Sequence, residues 1–176
     1  RIYFVGTLND VFDFESAISA AQNLEVDFVI AGDGPQRNDL LAKTIELPNF
    51  ILPGWISAAQ SYVLSKRSQL SFAPIKSRLD YEISIPNKFI DSFRLGKPMV
   101  TSLMGVSGNL LIDSQCGILY SAEDSDDLTV KLRNLFLDPK RIEFMSSNAR
   151  NLYLEKFEYQ KIYGELVNHL VQLARK

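Results

Sequence analysis

The 176-residue sequence contains a single cysteine, Cys116, and a single histidine, His169. One cysteine excludes an internal disulfide and a cysteine-rich zinc cluster, and it suits a reducing compartment. One histidine with no Cys, Asp or Glu at ligand spacing reads as structural, placed in the last helix beside core positions. Charge of one sign is lacking too: 19 Lys and Arg face 21 Asp and Glu, for a net charge of −2. With no basic surplus, nucleic acid is not an expected partner. No apolar run approaches the ~20 residues of a membrane-spanning helix. Low-complexity tracts and fixed-period repeats are missing. So are the G-x-x-x-x-G-K-[ST] and G-x-S-x-G motifs, which excludes a P-loop and a hydrolase nucleophile elbow. There is no opening Met and no targeting segment. Arg1-Ile2-Tyr3-Phe4-Val5-Gly6 already reads as a strand, as expected of a piece of a longer protein that starts where a domain starts.

What is present suffices for one packed domain spanning residues 1–176, with 46% hydrophobic residues to build its core. Six short apolar runs read as strands: 2–5, 27–31, 49–52, 69–74, 98–101 and 117–120. Helical spacing fills the intervals. Phe14, Ala17, Ile18, Ala21 and Leu24 form one stripe; residues 36–46 form another, with Leu40, Leu41 and Ile45 inward. Ser57-Ala58-Ala59-Gln60 is a capping box that starts a third helix. A polar loop is expected from Ile75 to Ser84, then a helix over 86–95 closed by Gly96. Three helices finish the chain: 124–137; one opened by Asp138-Pro139; and one presenting Tyr159, Ile162, Leu166, Leu170 and Leu173. Alternating apolar strands and amphipathic helices predict an α/β fold, a mostly parallel six-stranded sheet with helices on both faces. Ligands of such sheets bind beyond the C-terminal strand ends, at the switch point. The functional loops are then those around Gly6, Gly32 and Gly54, and over 74–87 and 101–109.

Three constellations invite a chemical reading. Gly32-Asp33-Gly34-Pro35 follows a strand and opens a helix, with Pro35 suited to its first position. It is either an incomplete phosphate loop or a tight structural turn; the third glycine of a dinucleotide fingerprint is replaced by Arg37, which argues against a dehydrogenase. Ser84-Ile85-Pro86-Asn87-Lys88-Phe89-Ile90-Asp91 leads a polar loop into a helix. Free amides at a helix N-terminus suit a phosphate, and Lys88 in the first turn is disfavoured unless an anion is near. Asp91, about one turn on, can accept from two ribose hydroxyls; the alternative is a solvated Lys and Asp on an exposed face. Asp124-Ser125-Asp126-Asp127 has the form of a metal motif but stands where helix caps stand, and capping is the preferred reading.

Taken together, the motifs resemble the C-terminal domain of GT-B-fold glycosyltransferases, nearest the large retaining family numbered four and its bacterial surface-polysaccharide subgroup. Phe4-Val5-Gly6, Ala31-Gly32-Asp33-Gly34-Pro35, Asn49-Phe50-Ile51-Leu52-Pro53-Gly54 and Pro86-Asn87-Lys88-Phe89-Ile90-Asp91, followed by Gly96-Lys97-Pro98-Met99-Val100, carry the likeness by order and spacing. It implies a three-layer Rossmann-like fold, the C-terminal half of a GT-B enzyme, that holds a nucleotide-diphosphate sugar, with UDP-sugar preferred. Residue by residue it implies a base contact through the backbone at Ile56 and ribose binding by Asp91. Asn87 and Lys88 would hold the phosphates, and Gly6 with Thr7 would let the chain approach the pyrophosphate. The family's first acid falls at Ile83, with Glu82 beside it as a candidate contact to donor sugar hydroxyls; its pyrophosphate-binding Arg-Lys pair falls at Thr7 and Phe12, so neither charge is present. Countercharge must then come from Lys88, Arg78, the helix dipole or another domain.

The resemblance further implies no cofactor and no metal, since the nucleotide-sugar is the substrate. The acceptor site would lie on an N-terminal domain outside this chain, and the chain alone should transfer no sugar. The acceptor would be a saccharide or lipid-linked saccharide of O-antigen, capsule or exopolysaccharide synthesis. The location would be cytoplasmic or peripheral at the inner face of the plasma membrane, with any membrane contact made through the other domain or the acceptor. A nucleotide-sugar 2-epimerase of the same fold and a non-catalytic assembly module are the alternatives; the first lacks visible acid–base carboxylates.

Overall fold

The structure, a computed structural model, describes residues 1–175. Six strands run β1 Ile2–Val5, β2 Phe28–Ala31, β3 Phe50–Gly54, β4 Leu70–Ala73, β5 Met99–Thr101 and β6 Gly117–Leu119. They form one sheet in the order β3-β2-β1-β4-β5-β6, with every pairing parallel. Strands buried on both faces need continuous apolar sequence, and β2, β4 and β5 are buried at every residue.

The helices are α1 Phe14–Gln22, α2 Arg37–Lys43, α3 Ala58–Lys66, α4 Leu79–Glu82, α5 Asn87–Arg94, α6 Gly105–Asp113, α7 Ser125–Phe136, α8 Pro139–Lys156 and α9 Tyr159–Ala174. Side-chain alternation along the strands splits the core. Ile2, Phe4, Phe28, Ile30 and Phe72 pack with α1 and α7 on one face. Phe89 and Phe93 of α5, Leu111 of α6 and Ala149 and Leu152 of α8 pack over Ala73 and Met99 on the other. Burying the two phenylalanines of α5 stabilises its docking by about 1.5–3 kcal/mol each. The boundary chemistry is as expected. Ser57 and Gln60 make a reciprocal capping box, Asp124 accepts from the Asp127 amide, and Asp138 caps α8 with Pro139 at its first position.

Four expectations need correction. Pro35 lies in the turn before α2, whose N-cap is Gln36, so it does not open that helix. Leu41 and Ile45 face solvent, Ile45 at 85% exposure, because α2 ends at Lys43 and buries only Leu40. The spans 74–87 and 101–109 are not wholly loop: α4 occupies part of the first and α6 begins within the second. Finally, α9 buries nothing. Its apolar stripe, Tyr159, Ile162, Leu166, Leu170 and Leu173, is exposed at 40–65%, and His169 lies on this exposed helix away from any core position. An isolated helix of this length is marginal in water. Ending the chain after Phe157 is therefore expected to change unfolding free energy by less than about 0.5 kcal/mol in urea titrations. A larger loss would show that α9 is docked.

Candidate functional site

The site begins with the strand order. β1 is paired with β2 from Ile2 to Val5, but with β4 only at Ile2↔Leu70 and Tyr3↔Ser71. Beyond Tyr3 the two strands part. Connections leave β1 toward β2 on one side, while β4 leads to β5 on the other, so the opening is the switch point of the sheet.

Backbone hydrogen bonds fasten the loops around this opening. Gly6 N–H donates to Ala31 C=O at 3.0 Å, Gly32 N–H to Gly54 C=O at 2.8 Å and Leu8 N–H to Asp33 C=O at 2.9 Å. Gly32 and Gly34 have φ of +146° and +155°, and a Cβ on either would strike the 6–8 backbone. The geometry supports the structural-turn reading of Gly32-Asp33-Gly34-Pro35: its glycines are needed for chain-on-chain packing. On the far side, Asp13 N–H donates to Pro74 C=O at 2.7 Å and Ser102 Oγ to Ile75 C=O at 2.7 Å.

α5 points its N-terminus at the opening. Its N-cap, Pro86, provides no side-chain acceptor, so the first amides of the helix lack a cap and carry the positive end of its dipole. Asn87 is exposed at that end. The Lys88 side chain runs into the gap between β1 and β4. Its Nζ donates to the Val5 carbonyl and lies 4.0 Å from the centre of the Phe4 ring and 5.7 Å from that of Phe12. Burial lowers its pKa to about 8, against the opposing pull of the Asp91 carboxylate.

Lys88 and Asp91 line a cavity of about 330 Å³ whose floor is Tyr3 and Val5 and whose far wall is Ser61 and Tyr62 of α3. The Asp91 side chain is 67% exposed, with Arg94 at 3.7 Å. Ile56 is half-buried in the short loop that leads into α3, and Thr7 is exposed beside Gly6. The sequence-derived set therefore divides. Lys88 lines the cavity with Asp91 and its Nζ approaches Gly6, whereas Gly6 itself, Asn87, Thr7 and Ile56 are not among the residues that line it. Nor does Glu82 line it. It ends α4, accepts from Ser77 Oγ at 2.9 Å, and its carbonyl sits over Gly105, where a Cβ would come within 2.2 Å. Ile83 is solvent-exposed. Arg78, a candidate countercharge, is engaged with Asp80 at 3.2 Å.

Tyr3, Ser61 and Tyr62 were not foreseen as lining residues. The signal for Tyr3 was available: period-two alternation in Ile2–Val5 places Tyr3 and Val5 on one face, opposite Ile2 and Phe4. Nothing local marks Ser61 and Tyr62, because α3 buries only Ser65 and has no apolar stripe. Among the described residues, no group of three or more His, Cys, Asp or Glu side chains could hold a metal ion. No described helix is long and apolar enough to cross a membrane.

The model of the family "Glycosyl transferases group 1" matches residues 1–138. The chain belongs to that family. Solved structures agree on the fold. HepE from Anabaena, in complex with UDP and glucose, is 17% identical with a TM-score of 0.80, over 97% of this chain and 47% of that one. TarM from S. aureus, as a mutant in complex with Fondaparinux, alpha-GlcNAc-glycerol and UDP, is 15% identical with a TM-score of 0.78, over 95% and 34%. The C-terminal domain of LpcC, a glycosyl transferase group 1 family protein from Francisella tularensis, is 16% identical with a TM-score of 0.74, over 90% and 86%. This chain thus spans a third to a half of the full-length neighbours, and its Rossmann-like fold is that of C-terminal GT-B domains. No curated protein matches it.

Proposed function

We propose that this glycosyltransferase-family domain is the donor-binding half of a retaining enzyme. It holds a nucleotide-diphosphate sugar, a UDP-sugar by preference, for transfer to a saccharide or lipid-linked saccharide acceptor in bacterial polysaccharide synthesis. The acceptor site is assigned to the remainder of the protein. One observation carries the reading: a cation and a carboxylate one turn apart, Lys88 and Asp91, line the same cavity at the switch point, where the uncapped start of α5 supplies amides. The neighbours HepE and TarM in complex with UDP support the choice of nucleotide.

The chemistry asks for this set. Breaking the bond between an anomeric carbon and a phosphate oxygen builds positive charge on the sugar and negative charge on the leaving diphosphate. Fixed N–H groups and a cation aimed at that oxygen lower the barrier without reorganising at the moment of reaction. Asp91 would hold the ribose, and no donor-domain side chain is assigned as a nucleophile.

A direct assay is available. Trp55 is the sole tryptophan, is 74% exposed and stands in the loop between β3 and α3, beside Ile56. Titration with UDP is expected to change its emission saturably and to raise the unfolding midpoint, by about 2.7 kcal/mol of stabilisation at 100 times Kd. NAD is expected to do neither. Silence toward UDP, GDP and ADP alike would overturn the reading in favour of a non-catalytic module.

A further inference from the structure

We propose that a second, cationic pocket beside the nucleotide cavity, walled by the C-terminal ends of α3, α5 and α8, binds an oxyanion of the phosphate class, either free or as a lipid headgroup. The inference is independent of the donor-site reading, which gives these cations no part.

The charge balance is the first argument. The whole chain is slightly acidic, at −2, so a local positive surplus does not follow from composition. Yet this pocket, of about 670 Å³, is lined by Lys66 of α3, Arg94 of α5 and Arg150 of α8, against a single carboxylate, Glu158. That carboxylate is already in use: it accepts from the Lys161 amide at 2.9 Å and caps α9. Helix dipoles account for part of the arrangement, since Lys66 and Arg94 stand in the last turns of α3 and α5. Each helix end carries about half a negative charge, so the two ends and Glu158 together offset about two of the three cations. About one positive charge is left over, in a concave site whose walls focus its potential. The neighbouring Lys97 registers the crowding: burial first, and the Lys66 ammonium second, hold its pKa below the usual lysine value.

The second argument is that the cations are fixed before any ligand arrives. Lys66 Nζ lies 5.5 Å from the centre of the Tyr62 ring, and the Arg150 guanidinium lies 5.5 Å from that of Tyr153. Both are within the range at which an aromatic face holds a cation. Arg150 Nη1 also donates to the Arg94 carbonyl at 2.6 Å. That bond uses part of the guanidinium's donor set and orients the rest. Side chains already held lose less entropy when an anion binds.

The ligand class follows from the geometry. A carboxylate is matched by one guanidinium fork. Cations converging from three helices suit an anion that carries more than one charge and presents several acceptor oxygens, as a phosphate does. Tyr62, Arg94 and Leu95 line both this pocket and the nucleotide cavity, whereas Lys88 and Asp91 line only the latter. An anion here therefore sits next to the nucleotide cavity without occupying its charged pair.

The test follows backbone amide resonances of the whole chain as inorganic pyrophosphate is added at constant ionic strength, with chloride as the reference salt. Saturable shifts centred on Gly96 and Tyr153 are expected. Lys66→Gln and Arg150→Gln, each checked for folding by circular dichroism, should weaken this binding by roughly 3- to 10-fold each, as for exposed cations in good geometry. Lys88→Met, which alters only the nucleotide cavity, should leave the Gly96 shift in place. Flotation with phosphatidylcholine vesicles, with and without phosphatidylglycerol, separates the two sources. Binding that needs the anionic lipid and is lost in both variants assigns the pocket to a headgroup; pyrophosphate binding without it assigns the pocket to a free phosphate. Gly96 shifts that survive both substitutions, or that vanish in Lys88→Met, would overturn the proposal. So would the absence of any saturable response to pyrophosphate together with indifference to the anionic lipid.

Discussion

Gly32→Ala is expected to destabilise the domain by about 4 kcal/mol, the sum of two terms. At φ +146° the backbone lies where L-residues pay roughly 1–3 kcal/mol of strain. The added Cβ would also stand 1.8 Å from the Gly6 carbonyl oxygen and 2.9 Å from its carbon. Both are backbone atoms of a loop fastened on each side, so no flexible side chain can yield, and relieving such overpacking costs about 1–3 kcal/mol more. Against a typical domain stability of about 5–15 kcal/mol the loss is large. At an m-value of about 2 kcal/mol/M the urea midpoint should fall by about 2 M. Gly164→Ala is the matched control: its Cβ would meet nothing within 4 Å, and the exposed helix should be unharmed. A Gly32→Ala midpoint within 0.5 M of wild type, by the same m-value, would mean that the three strand ends are not locked together as described.

The second large effect falls on binding and spares stability. Asp91 is mostly exposed and its pairing with Arg94 is long, so the folded state gains little from it. Asp91→Ala should therefore leave unfolding within about 0.5 kcal/mol of wild type. Its proposed task is to accept hydrogen bonds from two ribose hydroxyls. Bonds to a charged group contribute about 1.5–3 kcal/mol each, so nucleotide affinity should drop by about 100-fold or more. Because the ribose is common to UDP and uridine, both should be lost together, whereas Lys88→Met should weaken UDP alone. Fluorescence titration of Trp55 or calorimetry reads the difference. Unaltered affinity for both ligands in Asp91→Ala would remove this carboxylate from the site.

Much of the architecture was legible because it rests on short-range periodicity. Every strand is where an apolar run of four or so residues predicts it, and α7 and α8 bury the residues their stripes name, Leu128, Leu132, Ile142 and Met145 among them. Caps were legible for the same reason, since Ser57, Asp124 and Asp138 bond within three residues of themselves. α6 was not, because Gly105-Val106-Ser107-Gly108 carries weak helix formers and is held from outside, by Ser107 Oγ bonding to the Ser84 carbonyl at 2.8 Å. α9 shows the converse limit. A stripe says that a face is apolar, not what covers it, and here no described residue does. Part of the candidate site was legible in the motif from Pro86 to Asp91, whereas the far wall on α3 and the fate of Glu82 were not.

The chain's local chemistry determined that this is a parallel α/β sheet with a charged helix start after β4, since residues within a few positions of one another decide strands, turns and caps. Tertiary structure alone decided that Lys88 Nζ lies close to Gly6, 82 positions away in the sequence, and that the Glu82 backbone stands against Gly105 of α6 while its side chain bonds Ser77. Those contacts follow from where β1 and β4 separate, a property of strand order and register across the whole sheet that no local pattern encodes.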